Sequence, residues 1–398
     1  MTIIDQLQRD LFWKVRADPR LADVALAERA HAFPYFVPVG SPLGREVIVD
    51  GVAKLMFGSN NYLGLADDPR VADAARRAVD KYGTGCTGSR LMNGTLDLHL
   101  ELEHELADWM QREAALVFTA GYLANLATIA TLCGPEDVIV TDAKNHASIE
   151  DGAQLSGARV VRVRHNDLDQ LEAKLGRLAQ DGRAALVVWD TVFSMEGDVV
   201  DLPRLLEVSR AAGARTLIDE AHSLGLYGTD GGGMSLGLDP GADLVMGTFS
   251  KSLASCGGVI AGDADVIEHL RIHARPFVFT ASAVPAAVGA AQEALRICRA
   301  EPWRRELTIA LATRLADGLR AAGRDVSFGG SAIVAVRMAD EWQATLAWRA
   351  LFEAGIYVNV GVFPAVPRGE ALLRLSTTSV HTEADVDRGL ETFESVVR

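Results

Sequence analysis

The sequence predicts an α/β protein: a large domain on a mostly parallel sheet covered by helices, then a smaller α+β domain. Three observations predict it. Seven apolar runs of strand length recur between Ala114 and Gly262: "AALVF", "DVIVT", "ARVVRVRH", "AALVVWD", "ARTLID", "ADLVMG" and "GGVIAG". Amphipathic stretches such as "LPRLLEVSRAAG" separate several of them. Apolar strands alternating with helices require crossover connections and a sheet buried on both faces. Beyond "RPFVFTASAVPAA" a long helical pattern leads to "SAIVAVRM", "IYVNV" and "ALLRLST", a second set of strands with helices between.

From the N-terminus, residues 1 to about 32 read as helical, with Leu7, Leu11, Phe12 and Val15 at helix spacing. A proline-punctuated link, "FPYFVPVGSPLG", leads to the short strands "REVIVDG" and "AKLMFGS". "DPRVADAARRAVDKYG" is a helix with Pro69 near its start and Gly83 just past its end. "LDLHLELEHELADWM" is another, with Leu98, Leu102 and Leu106 on one face. The 398 residues, about twice an ordinary domain, divide into an N-terminal helix with short strands (1–55), a large catalytic domain (56–275) and a small C-terminal domain (276–398).

Composition narrows the function. The formal net charge of −14 argues against nucleic-acid backbones or anionic membranes as main partners, since both demand a basic face. Cys86, Cys133, Cys256 and Cys298 form no C-x-x-C pair, which points away from zinc and disulfides and toward a reducing cytoplasm. No stretch is apolar for the roughly 18 residues a membrane span needs. "GTGCTG", Gly83 to Gly88, matches a dinucleotide fingerprint in letters only, because a helix precedes it where a strand is required. Ser89 and Arg90 follow where a phosphate-binding P-loop has lysine and a hydroxyl residue, so "DEAH" at Asp219 to His222 is not a helicase motif either. His99 and His104, five apart, read as surface polar positions.

In such sheets ligands bind beyond the carboxyl ends of the strands. There the sequence places Thr119 to Tyr122, His146, Ser194, Asp219 to His222 and Thr248 to Lys251. Asp219 ends one buried strand and Lys251 follows the next, in "GTFSKS", with no acidic neighbour. That pairing suits pyridoxal phosphate, where a lysine holds the aldehyde and a carboxylate meets the ring nitrogen. The lysine must be neutral to attack an aldehyde, so a dry pocket without an acidic partner is its proper setting. Gly121 and Tyr122 open a helix whose N–H groups suit a phosphate, with Thr248 and Ser250 as hydroxyl donors beside it. His146 is placed to lie flat on the ring, and Ser194 and His222 to donate to its oxygen.

These residues, with "SNNYLGLADDP", "YGTGCTGSRLMNGTLDLHLELE", "FTAGYLANL", "NHASI", "FSMEGD", "DEAHSLGLYG" and "FTAS", resemble the α-oxoamine synthases, a fold-type I, aminotransferase-like group of pyridoxal-phosphate enzymes. The resemblance runs from about Phe57 to His381 and is nearest the bacterial serine palmitoyltransferase branch. The loop "VGVFPAVPRG" is closer to the ketobutyrate ligase and aminolevulinate synthase branches, and Val362 or Phe363 stands where an arginine is expected. The resemblance implies Lys251 as the cofactor-bearing lysine, Asp219 as the ring-nitrogen partner and His146 as the stacking histidine. It implies His222 and Ser194 at the ring oxygen and Thr248 at the phosphate. Thr280 and Ala281 would reach the phosphate from a second subunit, making a homodimer with shared sites. Asn60 and Arg374, with His146, would hold the substrate carboxylate.

The implied reaction is a decarboxylative condensation of serine, alanine or glycine with an acyl thioester of CoA. A carrier-protein acyl donor, or glycine acyl transfer of the ketobutyrate ligase kind, are the alternatives.

Overall fold

The computed structural model describes residues 11–397 except 31, 240 and 364. Leu7, part of the expected N-terminal helix, lies outside the described residues. Within them that segment is two helices, Leu11–Arg16 and Pro19–Arg29. Pro19 is the reason for the break: it disfavours helical geometry at Asp18, whose extended backbone lets its carboxylate cap the second helix at Arg20 N.

The strands β1 (Glu46–Val49) and β2 (Val52–Met56) form a tight antiparallel pair. The large sheet is built from β3 (Ala114–Phe118), β4 (Val138–Asp142), β5 (Arg159–Val163), β6 (Ala185–Asp190), β7 (Arg215–Asp219), β8 (Leu244–Thr248) and β9 (Gly258–Gly262). Their order is β3-β9-β8-β7-β6-β4-β5, parallel except for β9, which runs against both neighbours. Side chains alternate between two cores, as a period of two dictates. Val140, Val187, Trp189, Ile218 and Val245 enter one, with Leu102, Leu106 and Leu295. Ile139, Leu186, Val188, Leu217 and Met246 enter the other, with Ala124, Ala127 and Ile149.

The C-terminal strands are β10 (Val326–Ser327), β11 (Ile333–Arg337), β12 (Ile356–Tyr357), β13 (Asn359–Gly361) and β14 (Leu372–Ser376). Four of them make an antiparallel sheet, β10-β11-β14-β13, packed on helices Trp303–Ala321, Glu341–Glu353 and Glu383–Val396. "IYVNV", expected as one strand, serves two sheets: β12 adds to β2 and β13 adds to β14, with Val358 buried at the switch.

His99 corrects a second expectation. It is fully buried, accepting from Leu96 N through Nδ1 (3.1 Å) and bonded through Nε2 to the Ala283 carbonyl (2.9 Å). It ties the start of helix Asp97–Trp109 to the segment after "FTAS", whereas His104 is exposed as expected. Among the described residues no helix is long and apolar enough to cross a membrane.

Candidate active site

Parallel register brings the carboxyl ends of β4, β6, β7 and β8 to one edge, with Asp190 directly beside Asp219. Asp219 is buried, and its carboxylate accepts from Ala221 N (2.8 Å) and Asn125 Nδ2 (2.7 Å). The same amide reaches Ser148 Oγ (2.9 Å), which pairs with His146 Nδ1 (2.8 Å). His146 caps helix Ala147–Ser156, and its own N–H donates to Asp190 Oδ2 (2.9 Å). One polar chain therefore joins Asp219 to the histidine ring, which stands open to the cleft. Burial first, and the adjacent Asp219 second, push Asp190 well above the usual carboxylate range.

On the opposite flank, Arg374 projects from the middle of β14 and is buried. Its Nη2 donates to Asn60 Oδ1 (2.9 Å) and Tyr62 Oη (3.3 Å), and its Nε to the Ser194 carbonyl (2.5 Å). The Tyr62 hydroxyl lies 2.7 Å from His222 Nδ1. Burial, with the charges of Lys251 and Arg374 behind it, holds His222 well below the ordinary imidazole range, so the ring is neutral. The expected Asn60, Arg374, His222 and Ser194 thus converge. It is the Ser194 carbonyl that is engaged; its hydroxyl has no partner among the described residues.

Lys251 sits in the turn after β8, and its Nζ has no hydrogen-bond partner among the described residues. Burial lowers its ammonium from the usual 10.5 to about 8, against the opposing pull of Asp219 and Asp190. It opens on a cavity of ≈ 430 Å³ lined also by Ser250, Asn60, Met56, Leu43 and Tyr357. Beside it, Thr248 Oγ1 meets Ser250 Oγ at 2.9 Å. Gly121 begins its helix hard against that turn, since a Cβ there would lie 2.8 Å from Thr248 Oγ1. Gly258 is as constrained, its Cβ falling 2.6 Å from Gly121 Cα. The helix start leaves unpaired N–H groups facing the two hydroxyls' side of the cleft. Tyr122 meets the His146 ring edge-on at 6.0 Å and bonds Asp151 through its hydroxyl.

Thr280 and Ala281 belong elsewhere within this chain. Ala281 bridges to Ser89, Ser282 N donates to Gly88 O (3.0 Å), and neighbouring Phe279 is 74% exposed. Sequence reasoning missed Tyr62, Asn125 and Asp190. Asp190 had a readable signal, closing "AALVVWD" as Asp219 closes "ARTLID"; Asn125, one turn into a helix, had none.

A free buried amine, a buried carboxylate, an open aromatic ring and a glycine-lined helix start are the donor set that a phosphorylated pyridine aldehyde requires. The unpartnered buried Ser252 Oγ and Asn125 Oδ1 leave polar capacity in the same region. Fold and site together define a class: aminotransferase-like enzymes that work through a lysine-held cofactor. The family model described as aminotransferase class I and II matches residues 52–393, and the chain belongs to that family.

Within it the chain is close to the α-oxoamine synthases. It is 43% identical over 368 residues to the serine palmitoyltransferase of Sphingobacterium spiritivorum, covering 92% of each chain. It is 45% identical over 341 residues to a putative 8-amino-7-oxononanoate synthase 2 of Mycobacterium tuberculosis, covering 85% of this chain and 44% of that one. Among solved structures, the Sphingomonas wittichii serine palmitoyltransferase superposes with a TM-score of 0.92 at 39% identity, over 97% of this chain and 98% of that one. The S. paucimobilis enzyme, in a structure carrying PLP, does so at 0.93 and 37%, over 98% of each.

Proposed function

We propose that the protein condenses serine with an acyl thioester of CoA, using pyridoxal phosphate, to give an α-amino ketone, CO2 and free thiol. The observation that carries this is Lys251: a buried amine without a hydrogen-bond partner among the described residues, flanked by Asp219 on one side and by the Asn60–Arg374 pair on the other. The similarity to serine palmitoyltransferases over most of the chain supports the choice of reaction.

Pyridoxal phosphate, when bound, supplies an aldehyde that takes up amines and a ring that draws electrons from the carbon next to the nitrogen. In this reading Lys251, Asp219, His146, His222, Ser194, Thr248, Gly121 and Tyr122 hold it, with Thr280 and Ala281 supplied by a second subunit of a homodimer. Arg374 and Asn60 hold the amino acid's carboxylate, the guanidinium providing charge and direction at once. Lys251 Nζ, made easier to deprotonate by burial, takes the α-proton and later returns it. Asp219, each of its oxygens held by an N–H donor, would meet the cofactor's ring nitrogen. The neutral His222 adds a hydrogen bond without adding charge. The same reading puts Lys251 in the large domain (56–275) and Arg374 in the small one (276–398), and the enzyme in the cytoplasm.

A matrix of amino acids against acyl-CoA chain lengths, read by thiol and CO2 release, tests the proposal. Serine with a long-chain acyl-CoA is the expected pair; a blank across all CoA esters, with turnover from carrier-protein esters, refutes the CoA donor.

A further inference from the structure

At the foot of the turn that carries His146 lies a cluster that the proposed mechanism does not use. His165, just past β5, stands between two carboxylates: its Nδ1 is 3.0 Å from Asp142 Oδ1 and its Nε2 is 2.8 Å from Asp198 Oδ2. An ionised carboxylate only accepts, so both ring nitrogens must carry hydrogen and the ring is an imidazolium. Asp142 is fully buried at the end of β4, and its oxygens also take Lys144 N (2.7 Å) and Asn166 N (2.7 Å). Asp198 takes Asn166 Nδ2 (2.7 Å). The Phe193 ring stands edge-on to His165 at 4.4 Å.

The two carboxylates belong to the two loops that carry the amino-acid side of the site. Asp142 begins the turn 142–146 that presents His146. Asp198 closes the turn 193–198, where Phe193 N donates to the Asp198 carbonyl (3.0 Å) and the Ser194 carbonyl receives Arg374. We propose that His165 is a positioning residue: its imidazolium, clamped between Asp142 and Asp198, fixes the His146 loop against the Ser194–Arg374 loop and so sets the amino-acid pocket. Lys144 adds a second strap between the same loops, through Glu196 Oε1 (2.6 Å), and on to Glu370 Oε2 (2.6 Å). Burial opposes the charge on His165, but the hydrogen bonds and charges of Asp142 and Asp198 outweigh it and raise the ring from 6.5 to about 9. Asp142 and Asp198 are the charged groups in contact with it among the described residues, so the clamp is complete below the ordinary imidazole range and is lost as pH rises through about 9.

The inference rests on the proposed condensation for its substrate and is tested both with and without turnover. His165→Gln should raise the amino-acid KM on the order of tenfold to a hundredfold near neutral pH, with the acyl-thioester KM unmoved. That ratio to wild type should close toward unity above about pH 9. Independently of activity, NMR titration of the labelled imidazole should place the His165 midpoint near 9 in wild type and lower in Asp198→Asn, which keeps the Asp142 anchor if His165→Gln does not fold. Hydrogen exchange at Lys144 N and Asn166 N should quicken in both variants. An unchanged amino-acid KM, equal rises in both KM values, or an ordinary imidazole midpoint overturns the proposal. A wild-type enzyme that turns over no amino acid overturns the condensation instead, and leaves the titration to decide on His165.

Discussion

At the scale of single residues, the decisive quantity is the state of one amine. Burial holds Lys251 near 8 while surface lysines titrate near 10.4. Reductive methylation of the cofactor-free protein with formaldehyde therefore has a clear expectation. Labelling at Lys251, read by peptide mass, should rise about tenfold per pH unit below 8 and level off above it, because each unit changes the neutral fraction tenfold. A profile parallel to surface lysines would mean that the site is wet. Asp219 gives a second expectation. Its two oxygens each face an N–H donor, so Asp219→Asn both removes the charge and sets one amide NH2 against Asn125 or Ala221. Deuterium exchange at the amino acid's α-carbon should fall nearly to background, with a cost of about 3–5 kcal/mol if the cofactor's cation is left unpaired. Exchange at the wild-type rate would remove Asp219 from its role. The placement of both was legible in the sequence, because Asp219 closes one apolar run and Lys251 follows the next. Tyr62 and Asn125 were not, since a tyrosine and an amide reach the site through tertiary packing that leaves no local pattern.

At the scale of elements, the glycine-rich stretch shows what letters conceal. "GTGCTGSR" follows helix Pro69–Tyr82 and not a strand, so it lacks the setting of a dinucleotide fingerprint. Its function is visible in Arg90, buried and bidentate to Glu103 (2.8 and 2.9 Å), which also accepts from Val117 N near the end of β3. The loop is thereby bolted to the sheet edge, and Gly94 approaches so closely that a Cβ would fall 2.3 Å from Gly88 O. Arg90→Met should destabilise the fold by about 3–5 kcal/mol, leaving Glu103 buried without its cation, a shift readable in the denaturant midpoint. Gly258→Ala tests the other close approach. Its methyl would press on Gly121, so stability should drop by about 1–3 kcal/mol, and cofactor retention on dialysis should weaken with it. A variant as stable and as well loaded as wild type would show that the helix start tolerates displacement. The strands themselves were readable to within a residue or two, because burial on both faces makes them continuously apolar. The division of "IYVNV" between two sheets was not, since partner choice is settled by β2 and β14, far away in sequence.

At the scale of the whole molecule, the layering was legible in the sequence and the number of chains was not. The alternation of strand and helix predicted the sheet, and the strand-end rule predicted which residues meet. What neither could supply is chain multiplicity, because a residue that completes a neighbouring subunit looks like any exposed residue in its own. In the proposed homodimer Thr280 and Ala281 would be in that position: Ala281 bridges to Ser89, and the segment is flanked by the exposed Phe279 and by Leu91 and Met92, 55% and 78% exposed. A large apolar surface around a segment with no local work to do suits a symmetric interface. Complementation provides the test. Lys251→Ala and Thr280→Trp should each be inactive as homodimers, the first for want of the amine, the second because the added ring fills the partner's phosphate site. When the two are unfolded together and refolded, half of the dimers are mixed, and each mixed dimer has one doubly defective site and one intact site. Activity should then return to about a quarter of wild type if sites are shared across a two-fold axis. If each chain holds its own complete site, mixing restores nothing, and the segment 279–282 must act within its own subunit.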